Sequence, residues 1–313
     1  MDINFQNLND FHQTLSTAFF DALAAAPPAE WSRIAMRMGS SSSRNTYPFL
    51  GETSSMREWL GSRIATQMES FRYSIENRKF EKTMTALRDE LMDDATGLIS
   101  VYGSRAAAMA RAVAVHPDEL VMATLASGNS LACFDGQNFF DTDHVHGVRD
   151  NSTGIVTQTT VSNDMGGSSP SWYLFDTSKA IMPLIYQVRE APVFNAMLDL
   201  NSYHVFNTHE FTWGAFCRDA AGFGLWQSAV KSSQPITEAN YLAARIRMQS
   251  FNNYEGRNMG MNPTLLVTPR GSIQDDAKKL FTLDYLSVTG GSTQNNYLKG
   301  AVDLMVSNYL PVS

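Results

Sequence analysis

The chain has 313 residues, with 31 acidic against 24 basic side chains, a formal net charge of −7 and a pI near 5.4. The sequence shows no basic stripe of the kind from which a dedicated nucleic-acid binder draws most of its affinity. Hydrophobic residues make up 43% and supply a sizeable core, while charged residues are only 18%, against roughly 25% in an average soluble domain. So low a charge content fits a chain that buries extra surface against copies of itself, or a large, well-packed monomer.

Two cysteines, Cys133 and Cys217, lie in apolar settings without a CxxC pair. This suits buried thiols in a reducing compartment, not a disulfide scaffold or a zinc module built on a CxxC pair. No stretch approaches the roughly 18 uninterrupted apolar residues of a membrane span. The opening "MDINFQNLNDF" is acidic and polar, unlike a signal peptide. A soluble cytoplasmic protein with no membrane partner is expected.

In chain order, Leu8, Phe11, Leu15, Phe19 and Leu23 recur every three to four residues and predict an amphipathic helix over 8–26, stopped by Pro27 and Pro28. Such a helix needs a partner surface. The Ser/Gly-rich stretch that follows reads as a loop, yet carries Tyr47, Phe49, Leu50 and Trp59. Residues 71–94 begin with strand-like alternation at Phe71, Tyr73 and Ile75 and interleave charges of both signs. They read as a solvated hairpin or as an arm contacting a neighbouring molecule. Alanine-rich residues 95–115 predict a long helix behind Asp93 and Asp94. A second helix is expected to begin at Pro117 and end by Gly128.

Residues 148–170 predict a loop or ragged hairpin, 172–189 two short strands around a turn, and 203–230 further strands. A helix is predicted over 236–251 with Thr237 as N-cap. A buried strand over 262–269, a helix in "GSIQDDAKKLF" and a last strand in "LKGAVDLMVSNYL" complete an α+β chain without internal repeats.

The stretch "CFDGQNFFDTDHVHG", residues 133–147, concentrates Asp135, Asp141, Asp143, His144 and His146. His144-x-His146 is the spacing that opens the metal site of hydrolase barrels, where a strand delivers both imidazoles. In this chain "DTD" precedes the pair in place of an apolar strand, and eight βα units are absent. As a calcium loop it fails, because Val145 and His146 occupy ligand and glycine positions. The plainer reading is a turn at Asp135-Gly136, anchored by Phe134, Phe139 and Phe140. "AGFGLW" lacks the third glycine of a dinucleotide site, and there is no P-loop or GxSxG elbow. Cys217 with His209 as nucleophile and base competes with a buried structural thiol, which suits the apolar setting better. A metal-dependent hydrolase using His144 and His146 is the enzymatic alternative.

Taken together and in order, "SSRNTYPFLGE", "MREWLGSR", "YSIENRKFEKTMTALRDELMDD", "HPDEL", "DGQNFFDTDH", "WYLFD", "AAGFGLWQ", "GMNPTLLVTP" and "NYL" resemble the Mu-like phage major head subunit, the gpT family, from about residue 10 to the end. The resemblance implies the α+β Hong Kong 97-type capsid fold. It places an N-terminal arm at 1–34, an E-loop at 35–80, a peripheral domain with its spine helix at 81–170, an axial domain at 171–296 and a return strand to the peripheral domain at 297–313. It implies a major capsid protein that is not an enzyme and takes no cofactor or metal. Its partners would be copies of itself in hexamers and pentamers, packaged double-stranded DNA bound without sequence preference, a portal, a scaffold and decoration proteins. An encapsulin-like compartment shell is the related alternative.

For such a shell the candidate inter-subunit contacts are the loop aromatics Tyr47, Phe49 and Trp59 and the interleaved charges Arg72, Glu76, Arg78, Lys79, Glu81 and Lys82. Aromatics anchor interfaces, and charges set register more than affinity.

Overall fold

The computed structural model describes residues 3–48, 73–93, 98–150, 153, 155–287 and 293–312. The first helix, α1 (Phe5–Ala24), starts where the Asn4 side chain accepts the Asn7 N–H at 2.8 Å, and buries Leu8, Phe11, Leu15 and Phe19. It is followed by β1 (Ala35–Gly39), β2 (Arg44–Tyr47), β3 (Tyr73–Glu76), β4 (Arg78–Leu87), the short α2 (Arg88–Met92) and the long α3 (Leu98–Ala126). Next come β5 (His144–Arg149), β6 (Val156–Val161), β7 (Asp164–Gly167), β8 (Trp172–Phe175), β9 (Leu184–Met197), α4 (Tyr203–Thr208) and β10 (Glu210–Phe223). The chain closes with β11 (Ala229–Ser233), α5 (Glu238–Gln249), β12 (Leu265–Pro269), α6 (Ser272–Thr282), β13 (Tyr285–Ser287), β14 (Thr293–Asn295) and β15 (Asp303–Ser307).

Two sheets organise the molecule. The first runs β1-β9-β10-β4. Its centre is the antiparallel pair of 14-residue strands β9 and β10, whose register shifts between Phe216 and Asp219. Along β10 every second side chain, Phe211, Trp213, Ala215, Cys217 and Asp219, is buried, as a strand with one covered face requires. The cover is α1 and α3. Phe11 meets Trp213 edge-on at 5.6 Å, and Phe19 stacks on Phe194 at 4.7 Å. The partner that an amphipathic first helix demands is therefore supplied within the chain.

The second sheet runs β15-β12-β8-β11-β7. All of "WYLF" in β8 and "LLVTP" in β12 are buried, the pattern of strands covered on both faces. Helices α5 and α6 pack on this sheet. The Thr237 hydroxyl accepts the Asn240 N–H at 3.2 Å, the N-cap that the sequence predicts for α5. Helix α3 joins the two cores. Its first half gives Tyr102, Ala106, Met109 and Ala110 to the core under α1, and its second half gives Leu120, Val121, Met122 and Leu125 to the larger core.

Several expectations need correction. The helix expected to end at 115 and its successor from Pro117 are one 29-residue helix with Pro117 inside it. An interior proline costs roughly 3 kcal/mol, which burial on both sides of it offsets. Asp118 adds a tie by accepting the Trp31 N–H at 2.8 Å. The expected strand pair at 172–189 is no hairpin, because β8 and β9 diverge into different sheets. Residues 203–208, expected as strand, form α4.

Sheet membership also cuts across the expected segments. Strands β9 and β10, inside 171–296, lie with β4, whereas β7, inside 81–170, lies with β11. The return strand β15 pairs in parallel with β12, not with the sheet that holds β4. The reason is non-local pairing: a long strand's neighbours are set by the faces it must bury, not by proximity in the chain. Within 35–80, β2 and β3 pair from Arg44↔Glu76 to Tyr47↔Tyr73 as the base of a hairpin. Residues 49–72 lie outside the described residues. Among the described residues no helix is long and apolar enough to cross a membrane.

Candidate functional site

The acidic and histidine-rich stretch after α3 resolves into a buttress. Gly136 takes φ +87° at the tip of a tight turn, with Cys133 N–H donating to Gln137 O at 2.7 Å. Asp135 turns inward. One carboxylate oxygen accepts the Cys133 thiol and the Gln137 N–H, and the other accepts His144 Nδ1–H at 2.8 Å. His144 is fully buried, stacked on Trp226 with 4.1 Å between ring centroids. Burial alone would raise the Asp135 carboxyl. The hydrogen bond and charge interaction with His144, helped by Cys133 and Gln137, outweigh it and hold Asp135 below the ordinary carboxylate value. Burial and the Asp135 charge push the Cys133 thiol well up, so it is no ready nucleophile.

The surrounding residues are committed to packing. Phe139 stacks on Phe223 at 4.4 Å. Phe140 fills the space above Gly128, where an added Cβ would come within 2.5 Å of its ring. Asn163 ties the turn to the second sheet, accepting the Asp141 N–H at 2.9 Å and donating to Phe139 O at 2.8 Å. Asp143 is exposed, and Asp141 caps the N–H groups of Asn138 and Thr142.

The pairing of His144 with His146 does not form a ligand set. Among the described residues two groups of three donors stand close enough to hold a metal ion: Cys133, Asp135 and His144, and His116, Cys217 and Asp219. His146 belongs to neither. Among the described residues its buried Nδ1 has no hydrogen-bond partner, and burial and nearby Arg247 lower its pKa.

The candidate contact residues fall into three groups. Phe49, Trp59 and Arg72 lie outside the described residues. Tyr47 is buried at 3% exposure, its hydroxyl donating to Gln187 Oε1 at 2.6 Å; it anchors its own subunit and has little surface left for a neighbour. Glu76, Arg78, Lys79, Glu81 and Lys82 are exposed. Glu76 pairs with Arg44 across the β2–β3 ladder at 3.0 Å. Arg78 lies over the Phe80 ring at 5.3 Å, and Glu81 accepts the Thr83 hydroxyl at 2.6 Å. Arg78, Lys79, Glu81 and Lys82 sit on β4, an edge strand of its sheet. Charges on an edge discourage indiscriminate strand pairing and leave selective contacts open.

An apolar surface that the sequence reading missed lies at one end of the first sheet. Helix α4 exposes Tyr203 at 86% and Phe206 at 75%. It sits beside Thr212, where His204 Nε2 lies 3.2 Å from the hydroxyl, and Thr212 is the register partner of half-exposed Met197. Across a groove of about 600 Å³ from Met197 stands Phe5 on α1, 77% exposed. Leu87 and Met92 expose apolar surface at the same end, where β4 runs into α2. Ser202, which accepts the Val205 N–H as an N-cap, was the signal that Tyr203 and Phe206 begin a helix.

The Mu-like prophage major head subunit gpT model matches residues 8–310. The chain belongs to that family. It is 38% identical to the major capsid protein of Escherichia phage Mu over 285 residues, covering 90% of this chain and 92% of that protein. It is 33% identical to the Mu-like prophage FluMu major head subunit of Haemophilus influenzae over 294 residues, covering 93% and 94% of the two chains. Among solved structures, a chain from the procapsid of bacteriophage JBD30 superposes with a TM-score of 0.80 at 35% identity over 98% of this chain and all of that one. A chain from the JBD30 capsid gives 0.76 at 25% identity over 94% of each.

This gpT-family chain is a phage major head subunit with the α+β Hong Kong 97-type fold. The structural commitments of Asp135, Asp141 and His144 accord with that role, since these polar groups are spent on holding a turn.

Proposed function

We propose that this subunit assembles with copies of itself, as hexamers and pentamers, into a closed icosahedral shell around double-stranded DNA, and catalyses no reaction. The observation that carries this reading is the exposed apolar end of the first sheet, with Phe5, Tyr203 and Phe206 each at least three-quarters exposed. Aromatic surface of this extent is costly on a free monomer and typical of a surface that another subunit covers. The first sheet with α1 and α3 corresponds to the peripheral domain, the second sheet with α5 and α6 to the axial domain, and the segment between β2 and β3 to the E-loop. Helix α1 corresponds to the arm, laid against its own subunit.

The acidic balance suits a container whose wall lets DNA slide, where a basic wall would hold it by counterion release. A scaffold, a portal and decoration proteins complete the particle, and assembly takes place in the host cytoplasm. Negative-stain electron microscopy of the purified chain, with light scattering at two salt concentrations, tests the reading. Closed shells, tubes or rings of five or six support it. A monomer or dimer that persists at high concentration and with a co-expressed scaffold overturns it. Nucleic acid inside particles from infected cells separates a DNA container from a protein-filled compartment.

A further inference from the structure

Between the second half of α3 and β10 lies a cavity of about 170 Å³ lined in part by His116 and Cys217, and the buried Asp219 stands beside both, so that three side chains able to ligate a metal come together. Cys217 and Asp219 are two residues apart on β10 and project to the same buried face, while His116 comes from the facing helix. We propose that His116 Nε2, Cys217 Sγ and a carboxylate oxygen of Asp219 form a site for one divalent transition-metal ion of the zinc class, which staples α3 to the first sheet.

The geometry is nearly assembled. His116 Nε2 lies 3.1 Å from Asp219 Oδ1, Cys217 Sγ lies 4.0 Å from Asp219 Oδ2, and the three donor atoms are all within 4.8 Å of one another. Metal–ligand bonds of about 2.0–2.3 Å in a tetrahedron place donors about 3.3–3.8 Å apart. Shifts of some tenths of an ångström to about one ångström close the set. Imidazole, thiolate and carboxylate together select zinc or cobalt over magnesium or calcium. The Tyr186 hydroxyl donates to Asp219 Oδ2 at 2.7 Å and fixes the carboxylate, as an outer hydrogen bond does around protein-bound metals. His116 is further held by Phe80, with 4.2 Å between ring centroids.

The cavity supplies an entry route and room for a water as the fourth ligand, which needs only about 10–15 Å³. Ligation by Cys217 breaks its S–H bond, forms a sulfur–metal bond and releases one proton to solvent. With thiolate and carboxylate bound, the two positive charges of the ion are balanced. The other trio is a poorer host. His144 is fully buried and stacked on Trp226, whereas His116 lines the cavity.

The test is a Co²⁺ titration of the full, tag-free chain, stripped with chelator and kept reduced, followed by optical absorption. The expected result is one Co²⁺ per chain with a near-ultraviolet sulfur-to-cobalt band that Zn²⁺ bleaches. Cys217→Ser abolishes the band and His116→Gln weakens binding at least about tenfold, while Cys133→Ser leaves both unchanged. Should either site variant fail to fold, X-ray absorption of the Zn²⁺-loaded unaltered chain decides, with one sulfur at about 2.3 Å and lighter ligands at about 2.0–2.1 Å expected. Absence of the sulfur band, a band removed by Cys133→Ser instead of Cys217→Ser, or a zinc shell of nitrogen and oxygen alone overturns the proposal.

Discussion

His144 donates from Nδ1 to Asp135 Oδ2 across 2.8 Å, and the same imidazole stacks on Trp226, so one fully buried ring links the turn after α3 to the segment that leads into β11 of the second sheet. The pair is a structural clamp. Breaking a buried pair by removing one partner typically costs about 3–5 kcal/mol. Asp135→Ala is expected to lower unfolding stability by about that amount in urea titrations of the unassembled chain. A loss below about 1 kcal/mol, the value of an exposed pair, would show that the contact carries no such burden.

The same clamp predicts an acid response. The folded-state pKa of Asp135 is depressed, so its stabilisation is complete above its unfolded value of about 3.9 and is lost as pH falls below that through the folded value. Stability measured from pH 6 downward should therefore drop more steeply below about pH 4 in the unaltered chain than in Asp135→Asn. Parallel curves for the two chains would remove Asp135 from the acid response.

Helix α1 is an integral part of the first core. Phe19, fully buried, stacks on Phe194 of β9. Phe19→Ala should cost about 3–5 kcal/mol in one cooperative transition. A near-normal unfolding midpoint would mean that α1 is a detachable arm whose packing contributes little.

Gly167 in β7 has φ +115°, and a Cβ there would lie 2.1 Å from the Ser233 carbonyl oxygen of β11. Backbone stands in the way, so the strain cannot be relieved by a rotamer change. Gly167→Ala should lose about 1–3 kcal/mol and speed amide exchange in β7 and β11. Unchanged exchange in both strands would contradict the close pairing of β7 with β11.

Tyr203 and Phe206 should matter to assembly and not to folding. Replacing both with serine is expected to leave the unfolding midpoint of the unassembled chain within about 0.5 kcal/mol of the original, as for surface sites. Loss of an aromatic anchor worth about 2 kcal/mol weakens one association contact roughly thirtyfold. Shell formation followed by light scattering should then need a higher protein concentration. Normal shells at the original threshold would exclude α4 from the subunit interface.

Local chemistry was readable without the fold. The spacing of Leu8, Phe11, Leu15 and Phe19 gives a helix because one face must be apolar, and Thr237 starts α5 because its hydroxyl satisfies an N–H that the helix leaves unpaired. The turn at Asp135-Gly136 follows from side-chain size and backbone freedom alone, and the ordered motifs identified the family. The tertiary structure decided what depends on distant partners. It carried α3 through Pro117, because burial on both flanks outweighs one missing hydrogen bond. It sent β8 and β9 to different sheets and put β15 beside β12. It turned Tyr47 from a loop anchor into a core residue, bonded to a glutamine 140 positions away. It also brought His116 across to Cys217 and Asp219. A sequence fixes which faces are apolar and where turns begin, but which faces meet is settled only when the whole chain buries them at once.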